Sequence, residues 1–173
     1  MHDIAPTLRI LRATPGVIRN LLEGLTDDLL RANYGPDTFS PFDVLGHLIL
    51  GERLDWVPRI RIIMEHGESR EFDPFPWDGR DADTAQMTRG DRLDVFEDLR
   101  AANLDAVDAM QLTSADLERT GMHPIFGPVT MHQMISTWGV HDVHHTAQIC
   151  KAVNYQFREA IGPWRPNVNS IPQ

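Results

Sequence analysis

The sequence predicts an all-α fold in which four long helices pack as a bundle, and three observations carry that reading. Apolar residues recur at helical spacing in four separate long stretches. Two of them open on strong start signals, Ser40-Pro41 and Thr130 with Gln133 three residues on. The connections between them are uneven, and no repeat, low-complexity tract or linker divides the chain. With 173 residues, 42% apolar and 24% charged, the chain reads as a single domain over residues 1–173, large enough to bury its own core.

The first helical pattern is carried by Ile4, Leu8, Leu11, Ile18, Leu21, Leu22 and Leu25. Thr14-Pro15-Gly16 sits inside it, so a kink or a restart capped by Thr14 is expected. Residues 26–39 are turn-rich. The second helix begins at Ser40-Pro41, where proline's missing donor costs nothing, and runs through FDVLGHLILGERLDWVPRIRIIM. Its start is apolar nearly all round and therefore buried on most sides, yet His47, Glu52 and Asp55 lie in this company and need partners. From His66 to Gly90, prolines and acids argue a long loop between the second and third helices, of a length often used for lids and binding loops. The third helix spans about Arg89–Met110 by its pattern, with Leu93, Phe96, Leu99, Asn103, Ala106, Val107 and Met110 on one side and Asp94, Asp98, Asp105 and Asp108 on the wet side. A short turn at Ser114–Leu117 and a hairpin-like excursion over Gly121–Val129 precede the last helix, which runs from Thr130 to Val153. At most one short helical turn and a tail follow.

The charge balance narrows the partners. A net charge of −9 with no basic stripe argues against a nucleic-acid backbone. Cys150 is the only cysteine, which excludes an intrachain disulfide and fits a reducing compartment. No charged segment with a following apolar run opens the chain, and no apolar run reaches spanning length, so a soluble, cytoplasmic protein with no membrane partner is expected.

The last helix carries His141, His144 and His145. At about 100° per residue, its apolar stripe centres on Met131, Met134, Trp138, Ile149 and Ala152. His145 falls inside that stripe, His141 on its near edge, and His144 points away. Two inward imidazoles four residues apart suit the grip of one helix on a transition metal, and they suit equally two core histidines bonded to backbone or carboxylate. His47, a third buried imidazole on another helix, raises the metal reading, because bundles build metal sites from facing helices.

With FSPFDVLGHLILGERLDWVPRI around His47, FGPVTMHQMISTWGVHDVHHTAQI around the terminal cluster and YQFREAIGPW after it, the chain resembles the DinB-like superfamily, with its YfiT-like metal-dependent members. The resemblance implies a four-helix bundle with a crossover connection and a divalent metal (Zn, Ni, Mn or Fe) on His47, His141 and His145. Many relatives carry Trp where this chain has Phe39, a packing difference that touches no ligand. Three imidazoles leave a position open for water or substrate. The family's chemistry implies transfer of a low-molecular-weight thiol, the cosubstrate, onto an electrophilic small molecule. A metal-dependent hydrolase on the same site is the alternative, and a non-catalytic metal-binding or interaction bundle is a second one. A homodimer is also implied by the resemblance.

The remaining polar residues each keep two readings. Glu52 and Asp55 suit orienting a ligand histidine or acting as general base, and equally an ion pair with Arg53, Arg59 or a neighbouring helix. Gln148 either lines the pocket or bonds a backbone group. Phe75, Trp77 and Arg80 are candidates for a lid or for pinning the loop. His2, His66, His123 and His132 lack a partner at ligand spacing and read as surface or loop residues, and Cys150 as packing.

Overall fold

The computed structural model describes residues 3–76, 82–168 and 170. Its elements run α1 (Ala5–Glu23), α2 (Asp27–Arg31), α3 (Pro41–Leu54), α4 (Trp56–His66), α5 (Ala82–Ala85), α6 (Arg89–Met110), α7 (Ser114–Leu117), β1 (Thr120–His123), β2 (Gly127–Thr130) and α8 (Met131–Gln156). A 3₁₀ turn follows α4 at Gly67–Ser69, and a six-residue 3₁₀ helix, longer than the one short turn expected there, follows α8 at Gly162–Asn167. No helix among the described residues is long and apolar enough to cross a membrane.

Four long helical units form the bundle: α1, the α3–α4 pair, α6 and α8. Helix α1 packs on α6 and α8, and α3 packs on the same two. The first and second long units therefore face each other across one diagonal and the third and fourth across the other, so those two connections cross over the ends of the bundle while the second and third units are direct neighbours.

Three of the starts are capping boxes. Ser40, Thr88 and Thr130 accept from the amide three residues on, while Asp43, Asp91 and Gln133 reach back. Gly139, the one residue of α8 with a strong helix penalty, is explained by packing: a Cβ there would meet the Thr7 methyl at 2.7 Å, so α1 and α8 approach as closely as they do only over glycine.

The restart at Thr14, one of the two outcomes expected there, and the unbroken second helix are corrected. Helix α1 continues through Pro15, and the Thr14 hydroxyl donates back to the Ile10 carbonyl at 2.9 Å. Pro15 has no N–H for the Leu11 carbonyl, and the buried Arg100 Nη1 donates to that oxygen instead, at 2.8 Å. The second long helix is two segments meeting at Asp55, with φ −104° and ψ −70°. Pro58 removes the donor that would bond the Leu54 carbonyl and disfavours a helical residue before it, so the regular ladder breaks one turn upstream.

The core is split along the bundle axis. One apolar cluster gathers Leu11, Trp56, Ile60, Ile63, Leu104, Val107, Met131 and Trp138; the other gathers Ile18, Leu22, Leu45, Ile49, Leu93, Phe96 and Ile149. Between them, along every long unit, lies a polar layer: Thr14, Glu52, Arg100 and Asp142, all buried. The hairpin pairs Thr120 with Thr130 and His123 with Gly127, whose φ of +73° suits the left-handed position that closes a three-residue loop. It is tied to the chain after α4 by the Phe72 amide on the Met122 carbonyl, 2.9 Å.

Candidate metal centre

Helix α3 brings His47, and one face of α8 brings His141 and His145, to a single point. Nε2 of His141 lies 3.0 Å from Nε2 of His47 and 3.0 Å from Nε2 of His145. The three offer one ligand nitrogen each, all within 4.8 Å of one another, as a group able to hold one metal ion. His144 is exposed and stands outside the trio, its ring 5.2 Å from that of His145.

The rings are oriented from behind. The side-chain oxygen of Gln148 accepts from Nδ1 of His145 at 2.6 Å, which leaves the Nε2 lone pair facing the other two rings. Gln148 thus neither bonds backbone nor lines the cavity; it sets a tautomer. His47 and His141 have no such partner, and their Nδ1 atoms are buried without a hydrogen bond. Aromatic edges hold them instead: Phe39 and Phe75 contact His47 at 5.6 and 5.7 Å between centroids, and Trp56 contacts His141 at 5.0 Å.

Electrostatics keep all three rings neutral. Burial first and the neighbouring imidazoles second bring His47 down to about 4, His145 to about 3 and His141 to about 2. Two neutral rings with facing lone pairs at 3.0 Å repel unless a cation or proton stands between them. Neutral imidazole is also the form that ligates, and the spacing lies within reach of one ion at about 2.0–2.1 Å from each nitrogen. The donor set therefore fits a first-row divalent ion.

Above the trio opens a cavity of about 630 Å³. The three histidines share it with the aromatic and apolar side chains of Trp56, Phe75, Val129 and Met134, with the hairpin residues His123, Ile125 and Phe126, and with Asp55 and Arg59. Burial pushes Asp55 up to about 6 even though Arg59 Nη1 stands 2.5 Å from its carboxylate. His144 reaches the rim. Phe75, read as a lid or loop-pinning residue, lies on the cavity wall against His47, whereas Trp77, Arg80 and His2 lie outside the described residues.

Glu52 takes the other of its two sequence readings. It is buried and does not line the cavity. Its carboxylate accepts from Arg100 Nη2 at 2.7 Å, Trp138 Nε1 at 2.9 Å and Asn103 Nδ2 at 2.9 Å, the ion pair with a neighbouring helix that the sequence reading held beside a role as general base. The partner, Arg100 on α6, carries no motif, and only its place on the buried face of that helix hints at it. His123, read as a surface or loop residue, stands at the hairpin turn and lines the cavity wall. Cys150 is partly buried and does not line the cavity.

A comparison with curated proteins finds no match. Among solved structures, YfiT from Bacillus subtilis is similar, with a TM-score of 0.74 and 18% identity over 92% of this chain and 88% of that one. It is described as a probable metal-dependent hydrolase with an unusual four-helix bundle topology. The sequence matches the DinB superfamily over residues 10–149, a span that reaches from the first helix to beyond the three histidines. With that match over most of its length, and with the four-helix fold, this chain belongs to the DinB superfamily.

Proposed function

We propose that this protein is a metal-dependent enzyme whose His47, His141 and His145 hold one divalent ion, and that it transfers a low-molecular-weight thiol onto an electrophilic small molecule. The observation that supports it is the convergence of three neutral imidazole nitrogens on the floor of an open, largely apolar cavity. The ion supplies Lewis acidity, which makes a bound thiol or water acidic near neutral pH. The protein supplies the rest. Trp56, Phe75 and Met134 exclude water and take up the organic body of the substrate. Asp55, with its carboxyl near 6, accepts the thiol proton at physiological pH.

A hydrolase on the same site is the second reading. Its support is the likeness in fold to YfiT, described in those terms, together with the suitability of Asp55 for taking a proton from water.

The deciding experiment measures bound metal in protein purified without chelator, then turnover of an epoxide, an α,β-unsaturated ketone and an aryl ester with and without added thiol. Thiol-dependent loss of the first two supports the transferase. Ester cleavage that ignores thiol supports the hydrolase, and bound metal with no turnover overturns both in favour of a binding bundle.

A further inference from the structure

His123 sits at the end of β1, where the chain turns through Pro124, Ile125 and Phe126 into β2. Its Nδ1 accepts from two backbone amides of that turn, Ile125 N at 3.1 Å and Phe126 N at 3.3 Å. An acceptor of two N–H groups carries no proton of its own, so the hydrogen of this neutral ring is on Nε2. The turn needs only Nδ1, much as an Asx turn needs only a carboxamide oxygen. The ring is fixed besides by stacking on Phe126 at 4.5 Å between centroids and by an edge contact to Phe72 at 6.0 Å. Burial and the Arg59 charge lower its pKa, which keeps the ring neutral and the tautomer single. His123 lines the same cavity as the three-histidine cluster, and Nε2 has no hydrogen-bond partner among the described residues.

We infer that His123 binds the substrate, presenting a tautomer-locked Nε2–H to a carbonyl-type oxygen, and that the cavity selects small molecules with an apolar or aromatic body and one such oxygen. Elsewhere most of the wall's exposed area is apolar, and its other polar side chains besides the histidine cluster are Gln133, Thr137, His144 and the Asp55–Arg59 ion pair. A neutral, preoriented donor placed there favours an acceptor oxygen without demanding a charged group. This rests on the proposed function only in treating the cavity as a substrate site, and it holds for thiol transfer and hydrolysis alike.

The test uses metal-loaded full-length protein and two probes of matched shape, acetophenone and ethylbenzene, with binding followed by NMR titration. The ketone should bind more tightly by on the order of three- to tenfold, the worth of one net hydrogen bond. His123→Asn keeps an acceptor for the turn amides but loses the far donor, and should bring the two probes to parity. His123→Gln, which returns an N–H near the Nε2 position, should keep the preference. Imidazole ¹⁵N shifts should show an unprotonated Nδ1 and a protonated Nε2 in the unliganded protein. A proton on Nδ1, equal affinity for the two probes in the unaltered protein, or a preference that survives His123→Asn overturns the inference. Metal content is read separately: a ketone preference in protein that binds no metal removes the enzyme reading and leaves this one standing.

Discussion

Two buried polar clusters lie within a few turns of each other in this bundle, and they are built on opposite principles. Around Arg100, charge is matched to charge. Its guanidinium meets Asp142 at 2.6 and 2.9 Å, Glu52 at 2.7 Å and the Leu11 carbonyl at 2.8 Å. Burial opposes that charge, but the two carboxylates more than offset it and hold the Arg100 pKa above its ordinary value. Around His141 no charge is matched. Three neutral rings converge through their Nε2 atoms, and of their Nδ1 atoms only that of His145 is bonded, to Gln148, while the other two are buried without partners. The first cluster is closed, with only the Arg100 Nε left without a hydrogen bond, and it ties the four helical units together. The second is incomplete and open to a cavity, as a ligand site must be. Burial of polar groups alone therefore does not mark function here; unsatisfied convergence does.

Breaking the histidine cluster should have the largest effect on metal and little on the fold. His47→Ala, His141→Ala and His145→Ala should each abolish stoichiometric metal, read by elemental analysis, while His144→Ala retains it. Equal loss in His144→Ala would sink the separation of that ring from the other three.

Breaking the ion cluster should do the reverse. Arg100→Met leaves two buried carboxylates and the Leu11 carbonyl without their cation, at a cost of about 3–5 kcal/mol in urea unfolding. Folded molecules should still bind metal in full stoichiometry. A shift in the unfolding midpoint no larger than that of an exposed pair such as Arg12–Asp108 would show that the network is not structural.

Acid should separate the clusters further. The three histidines have folded pKa values of about 2 to 4, below the ordinary 6.5, so between those limits the unfolded chain binds more protons than the folded one. Stability of the metal-free protein should thus fall as pH drops below about 6.5, by up to about 1.4 kcal/mol per pH unit for each ring that must stay neutral. Asp55 acts in the opposite sense. Its folded pKa of about 6 exceeds the unfolded 3.8, so its contribution is full in acid and is lost as pH rises toward 6. Asp142, its pKa also raised by burial, acts in the same sense as Asp55; three rings outweigh two carboxyls, and replacing the trio by Phe should flatten or invert the slope in pH-dependent urea unfolding.

The smallest effect tests orientation. Gln148→Leu removes the acceptor that sets the His145 tautomer and should weaken metal affinity by about 10–100-fold without abolishing binding. Unchanged affinity in a competition titration would mean that packing alone aims the ring.

Much of this was legible in the residues. Helix α8 could be placed from its capping box and its stripe, because both are local; Thr130 fixes the start and the 100° rotation then sorts His141 and His145 from His144. The hairpin and the third helix were likewise readable from short-range pattern. The break at Asp55 was not anticipated, although its cause, Pro58, lay in plain view. The continuity of α1 through Pro15 depends on Arg100, 89 residues away at the Leu11 carbonyl, which no local rule supplies.

The class of fold, the helix carrying the ligand candidates and the face on which two of them lie follow from periodicity and capping, which act over a few residues. No local pattern shows that His47 reaches His141 from 94 positions away, that Glu52 pairs with Arg100, or that His123 lines the cavity. Those outcomes depend on how helices cross and where a hairpin folds back, and packing across the bundle fixes both.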